Sequence, residues 1–71
     1  MIATEGINAA LNEIVGDSIM GLLRVQPMDI SMIMRSMGTV DPVRIAVVCQ
    51  VLTDAGKIER KYGRYQIKVT P

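Results

Sequence analysis

The sequence predicts an α+β domain in which the helices come first and a two-stranded β-hairpin comes last. Three stretches carry that expectation. Between Thr4 and Val25 the apolar residues recur at three and four positions, which is helical spacing. Residues 41 to 56, "DPVRIAVVCQVLTDAG", are bounded by helix start and stop chemistry. Residues 57 to 69, "KIERKYGRYQIKV", alternate in the manner of paired strands.

In the first stretch the periodic residues are Ile7, Leu11, Ile14 and Val15, then Ile19, Leu22 and Leu23. Thr4 suits an N-cap, and Glu5 suits the positive end of the helix dipole. Gly16-Asp17-Ser18 then places a poor helix former before two good capping residues. The stretch therefore reads as one bent helix or as two, roughly 5 to 15 and 17 to 25. Gln26-Pro27 ends it, because the residue before a proline is pushed out of the α region.

The next stretch, "MDISMIMRSMG", fits a short helix capped by Asp29 or Ser31. Ile30, Ile33, Met34 and Met37 form its inner face and Gly38 closes it. Gly38-Thr39-Val40 is a tight turn. Asp41 as N-cap with Pro42 at the first helical position is a strong start signal, and Gly56 is an equally good stop. The intervening "IAVVCQVL" is rich in β-branched residues and on propensity alone would pass for a buried strand. Its ends and its length argue for a helix. On that helix Ile45, Val48, Cys49 and Leu52 cluster on one side and supply the core face. Val43, Val47, Gln50 and Asp54 lie opposite, flanked by Arg44, Ala46 and Val51.

In the hairpin the turn falls near Tyr62-Gly63. Ile58, Tyr65 and Ile67 point inward, and Lys57, Lys61, Arg64 and Lys68 point to water.

Length and composition narrow the functional classes. A chain of 71 residues is a single domain, 1–71, because a core of this size buries only about 60% of the unfolded surface and cannot be divided. With 49% hydrophobic and 21% charged residues it is too apolar for a disordered tail and too evenly interrupted by charge for a membrane span. Tyr62 and Tyr65 are its only aromatics, which argues against a base-stacking platform. The acidic N-terminal stretch does not read as a secretory signal. A single Cys49 gives no internal disulfide and fits a reducing cytoplasm, where it reads as a small buried apolar side chain. With no His, a lone cysteine and scattered carboxylates, neither acid-base, nucleophilic nor metal chemistry has its positioned partners. The expectation is a non-enzymatic protein without cofactor or metal.

Charge is unevenly placed. Residues 1 to 34 hold one basic group, Arg24, against Glu5, Glu13, Asp17 and Asp29, a net −3. Residues 35 to 71 hold seven basic and three acidic groups, a net +4. A basic C-terminal half suits a polyanion.

"IMGLLRVQP", "MDISMIMRSMG", "DPVRIAVVCQVLTDAGKIER" and "KYGRYQIKV" follow one another as helix, helix, helix running into strand, and hairpin. In that order they resemble the winged helix-turn-helix domain of prokaryotic or viral DNA-binding regulators, over about Ile19 to Val69. The match lies in the order and spacing of elements, most closely in "VLTDAGKIERKYGRYQI". The resemblance implies a winged-helix core over 17–70 and an N-terminal helical extension over 1–16, where such regulators often place dimerisation helices. It also implies a third helix in the major groove and a hairpin wing on the adjacent phosphates, with transcription regulation as the function. Residues Arg35, Arg44, Gln50, Arg60, Lys61, Tyr62 and Arg64 would then contact double-stranded DNA, in a cytoplasmic homodimer with no membrane role.

The reading helix is thinly equipped for this. Only Arg44 and Gln50 can address base edges, and Asp54 repels phosphate. The wing charges equally suit a soluble hairpin edge that resists strand pairing. A second expectation follows from the apolar outer face: Met32, Val43, Val47 and Val51, with Met28 beside them, would form a protein-protein interface. Residues 1 to 15 folding back over that face would bury it within the chain instead.

Overall fold

In a computed structural model, described here for residues 2–69 with side chains from Gly6 onward, the chain folds as three helices followed by an antiparallel hairpin. The helices are α1 (Ile2–Val25), α2 (Ile30–Ser36) and α3 (Pro42–Asp54). The strands are β1 (Ile58–Lys61) and β2 (Arg64–Ile67). α1 begins at Ile2, so Thr4 lies inside the helix and is not the N-cap the sequence suggested.

α1 is one continuous helix, which decides against the two-helix alternative at Gly16-Asp17-Ser18. Gly16 is buried at the contact with α3. A Cβ placed there would lie 3.6 Å from Val48 Cγ1 and 3.9 Å from Leu52 Cδ2. The glycine therefore lies at an ordinary packing contact between α1 and α3, and the helix continues past it.

Asp29 caps α2, its carboxylate accepting from the Met32 amide at 2.8 Å. Asp41 caps α3 in the same way, accepting from Val43 N at 2.9 Å, with Pro42 in the first turn. At the far end Gly56 adopts φ +75°. Its amide donates to the Thr53 carbonyl and the Lys57 amide donates to the Leu52 carbonyl, both at 3.0 Å. That pair of bonds is a Schellman ending, whose left-handed residue favours glycine. It reverses the chain directly into β1.

The strands pair with Ile58 opposite Ile67 and Lys61 opposite Arg64. A third extended segment was not anticipated: Met28 N donates to the Tyr65 carbonyl at 3.0 Å and Tyr65 N to the Met28 carbonyl at 2.7 Å. The link between α1 and α2 is thus stitched to the free side of β2. Pro27 holds the chain extended there.

The core collects Val15, Ile19 and Leu23 from α1, Met28, Ile33 from α2, Ile45, Val48, Cys49 and Leu52 from α3, and Ile58 from β1. The four expected core residues of α3 are all inside. Burial raises the pKa of the Cys49 thiol, which keeps it neutral and unreactive. Ile7, Leu11 and Ile14 are exposed instead of packed. No helix of the described residues is long and apolar enough to cross a membrane.

Candidate nucleic-acid interface

The hairpin is built to expose its turn. Tyr62 and Gly63, both at positive φ (+53° and +76°), form a two-residue loop of type I′, the turn whose twist matches that of paired strands. Because side chains alternate along a strand, Ile58 and Arg60 share one face with Tyr65 and Ile67. That face turns to the core: Ile58 is buried and Tyr65 and Ile67 are half-buried. The other face carries Glu59, Lys61, Arg64 and Gln66.

Lys61 and Arg64 are therefore directly opposite one another on the solvent face. Like charges in that position repel and cost stability. The carboxylate on this face, Glu59, accepts from Gln66 Nε2 at 2.8 Å. Tyr62 stands 94% exposed beside them, with the Lys61 ammonium 6.0 Å from its ring centroid. Pro27, Lys61, Tyr62, Arg64 and Gln66 line an open concavity of about 400 Å³. Arg60 turns to the other face, 5.9 Å from the Tyr65 ring, its position suited to a cation–π contact. Lys57 and Lys68 add exposed charge at the base of the hairpin.

The α3 residues are placed differently. Arg44 is half-buried and turned toward α1: Nη1 donates to Asn12 Oδ1 at 2.6 Å, with longer contacts to Asn8 O at 3.5 Å and from Nη2 to Asn8 Oδ1 at 3.4 Å. Gln50 Nε2 donates to Asp54 Oδ1 one turn on, at 2.8 Å. Both polar residues that could read base edges from α3 are engaged within the chain. Arg35 is exposed on the last turn of α2, apart from the hairpin in sequence.

Of the seven residues expected at DNA, the hairpin brings together Lys61, Tyr62 and Arg64, with Arg60 on the reverse face. Pro27 and Gln66, which line the same concavity, were not anticipated. Gln66 was legible in principle, two positions from Arg64 and hence on its face; Pro27 reaches the hairpin only through the Met28 pairing, a tertiary contact. Asn8 and Asn12 carried no sequence signal as partners of Arg44.

Val43, Val47 and Val51 form an exposed ridge on α3, between 47% and 69% accessible. The segment from Gly6 to Val15 does not cover them. Met28 is buried and Met32 is half-buried against the core, so neither projects as a free member of that ridge; Met28 is removed from the expected surface by its pairing with Tyr65. Among the described residues no cluster of His, Cys, Asp or Glu could hold a metal ion. No protein-family model matches the chain, and neither a curated protein nor a solved structure matches it.

Proposed function

We propose that the chain is a winged-helix domain that binds double-stranded DNA through its hairpin, as a non-enzymatic regulator or accessory factor of cytoplasmic DNA. The order of elements is compatible with that fold: helix, extended segment, two helices, strand, turn, strand, with the extended segment beside the last strand. One observation carries the functional reading. Lys61 and Arg64 are opposed across the hairpin at a two-residue turn, a repulsive arrangement that a phosphate between them would relieve.

The binding is to backbone and not to sequence. Phosphate contacts supply affinity and orientation, and base-edge contacts supply discrimination. With Arg44 on α1 and Gln50 on Asp54, α3 brings only valines and Asp54 to a groove.

The experiment is a gel-shift titration against random duplex at low salt, using the wild type, Lys61→Ala/Arg64→Ala and Arg64→Glu. The wild type is expected to bind and both variants to lose binding by tenfold or more. Arg64→Glu is also expected to raise unfolding stability by about 0.2–1 kcal/mol, since it converts a like-charge cross-strand pair into an opposite-charge one. Binding unaffected in both variants removes the wing from the mechanism.

The exposed valine ridge favours a second reading, a winged-helix module that binds protein through α3. Val47→Asp would then abolish partner capture while the core, which Val47 does not enter, stays folded.

A further inference from the structure

The concavity on the solvent face of the hairpin brings three chemistries together. Pro27 and Tyr62 give it apolar ring surface, and the Tyr62 ring is 94% exposed. Lys61 and Arg64 give it two cations, opposed across the strands. Gln66 donates one amide N–H to Glu59 at 2.8 Å and keeps a second N–H and its carbonyl oxygen. Glu59, the carboxylate of this face, stands two register pairs back from the tip.

A bare phosphate would use the two cations and leave the rings and the amide idle. A nucleotide whose base is free uses all three. It offers a flat π face, a phosphate on either side of it, and a base edge that both donates and accepts. Stacking on an aromatic ring is tolerant of sequence, because every base has a π face, which suits a hairpin with no group that reads bases in a groove.

In a continuous duplex those faces are covered by the neighbouring bases, so a hairpin tip laid on the backbone meets phosphate and sugar. Unpaired bases, which can be splayed out and stacked on aromatic side chains, occur at frayed ends, gaps and single-stranded tails. Two tyrosines are too few to line up successive bases, and Tyr65 is half-buried. One ring at a tip serves one base.

We propose that the hairpin tip takes one unpaired nucleotide, its base stacked on Tyr62 and its flanking phosphates on Lys61 and Arg64. The chain then prefers DNA ends, gaps and single-stranded tails to uninterrupted duplex. This preference rests on the hairpin meeting DNA and goes beyond it, since phosphate contacts alone do not distinguish a tail with bases from one without.

Two duplexes of the same sequence separate the contributions. One carries a 3′ tail of about six nucleotides, and the other carries the same tail with abasic residues throughout, so the phosphates are equal in number and only the bases differ. Fluorescence anisotropy at low salt measures binding, with circular dichroism as the check on folding. The wild type is expected to bind the tail with bases about fivefold or more tightly than the abasic one. Tyr62→Ala is expected to bind the two alike, and Tyr62→Phe to keep the preference. Lys61→Ala/Arg64→Ala is expected to bind both more weakly by about tenfold or more. Equal binding of the two by the wild type, a preference that survives Tyr62→Ala, or one that Tyr62→Phe abolishes would each overturn the stacking and leave phosphate binding by the hairpin standing. Failure to bind either duplex would overturn both.

Discussion

Tyr62 occupies a backbone conformation that costs an ordinary L-residue about 1–2 kcal/mol. Its φ of +53° is the value the first position of a type I′ turn demands, and asparagine tolerates it far better. The ring gains no burial in compensation, being almost wholly exposed. A strained residue whose side chain is not buried in its own fold is a reason to look outward, and here the ring stands exposed at the tip of the hairpin, with the Lys61 ammonium beside it. Tyr62→Asn is expected to stabilise the protein by about 1 kcal/mol in urea unfolding while weakening duplex binding in the same gel shift. If the substitution leaves both unchanged, the tyrosine has neither the strain nor the contact assigned to it.

Between elements, contacts that residue patterns suggest only in part decide the outcome. Gly16 looks like a break because glycine is a poor helix former and Asp17 and Ser18 are good caps, yet the sequence alone does not say whether a glycine interrupts a helix or lets another approach. The approach is loose enough for a methyl group: a Cβ would meet Val48 and Leu52 at 3.6 and 3.9 Å, ordinary contact distances. Gly16→Ala is therefore expected to raise stability by about 1 kcal/mol through helix propensity and a less flexible unfolded chain, whereas Gly16→Leu, which forces extra volume between α1 and α3, is expected to lower it. Thermal unfolding of the two variants separates a packing contact from a hinge, at which both would be tolerated. Three boundaries were legible, because a cap is a local matter: Asp29, Asp41-Pro42 and Gly56 each satisfy backbone groups within a few residues. The inner face of α3 was legible for the same reason, as period and burial coincide there. The pairing of Met28 with Tyr65, and the turning of Arg44 onto Asn12, join residues more than thirty positions apart and leave no periodic trace. At the candidate site the basic hairpin could accordingly be read from the sequence, and the Gln50–Asp54 bond, four residues along one helix, was legible in principle, whereas the turning of Arg44 onto α1 was not.

Across the whole molecule the charges separate along the chain, net −3 in residues 1 to 34 and net +4 beyond, and the positive share gathers at the hairpin. Lys57, Arg60, Lys61, Arg64 and Lys68 all lie on it or at its base, all exposed. Glu59 is the one acidic group among them, so the hairpin is net positive, and a net positive end suits the polyanion proposed for it. If Arg60, Lys61 and Arg64 each neutralise one phosphate, counterion release sets the logarithm of the binding constant falling with the logarithm of salt at a slope of about −2.7 per bound chain. Lys61→Ala/Arg64→Ala should bring that slope to about −0.9, and the loss should be nearly uniform across duplexes of unrelated sequence, because neither Arg44 nor Gln50 on α3 is free to address base edges. Fluorescence anisotropy at four or more salt concentrations, on two duplexes of different composition, measures both quantities together. A slope that survives the double substitution would place the phosphate contacts elsewhere. A large difference between the duplexes would mean that Arg44 or Gln50 leaves its partner within the chain when DNA arrives, and that α3 reads bases after all.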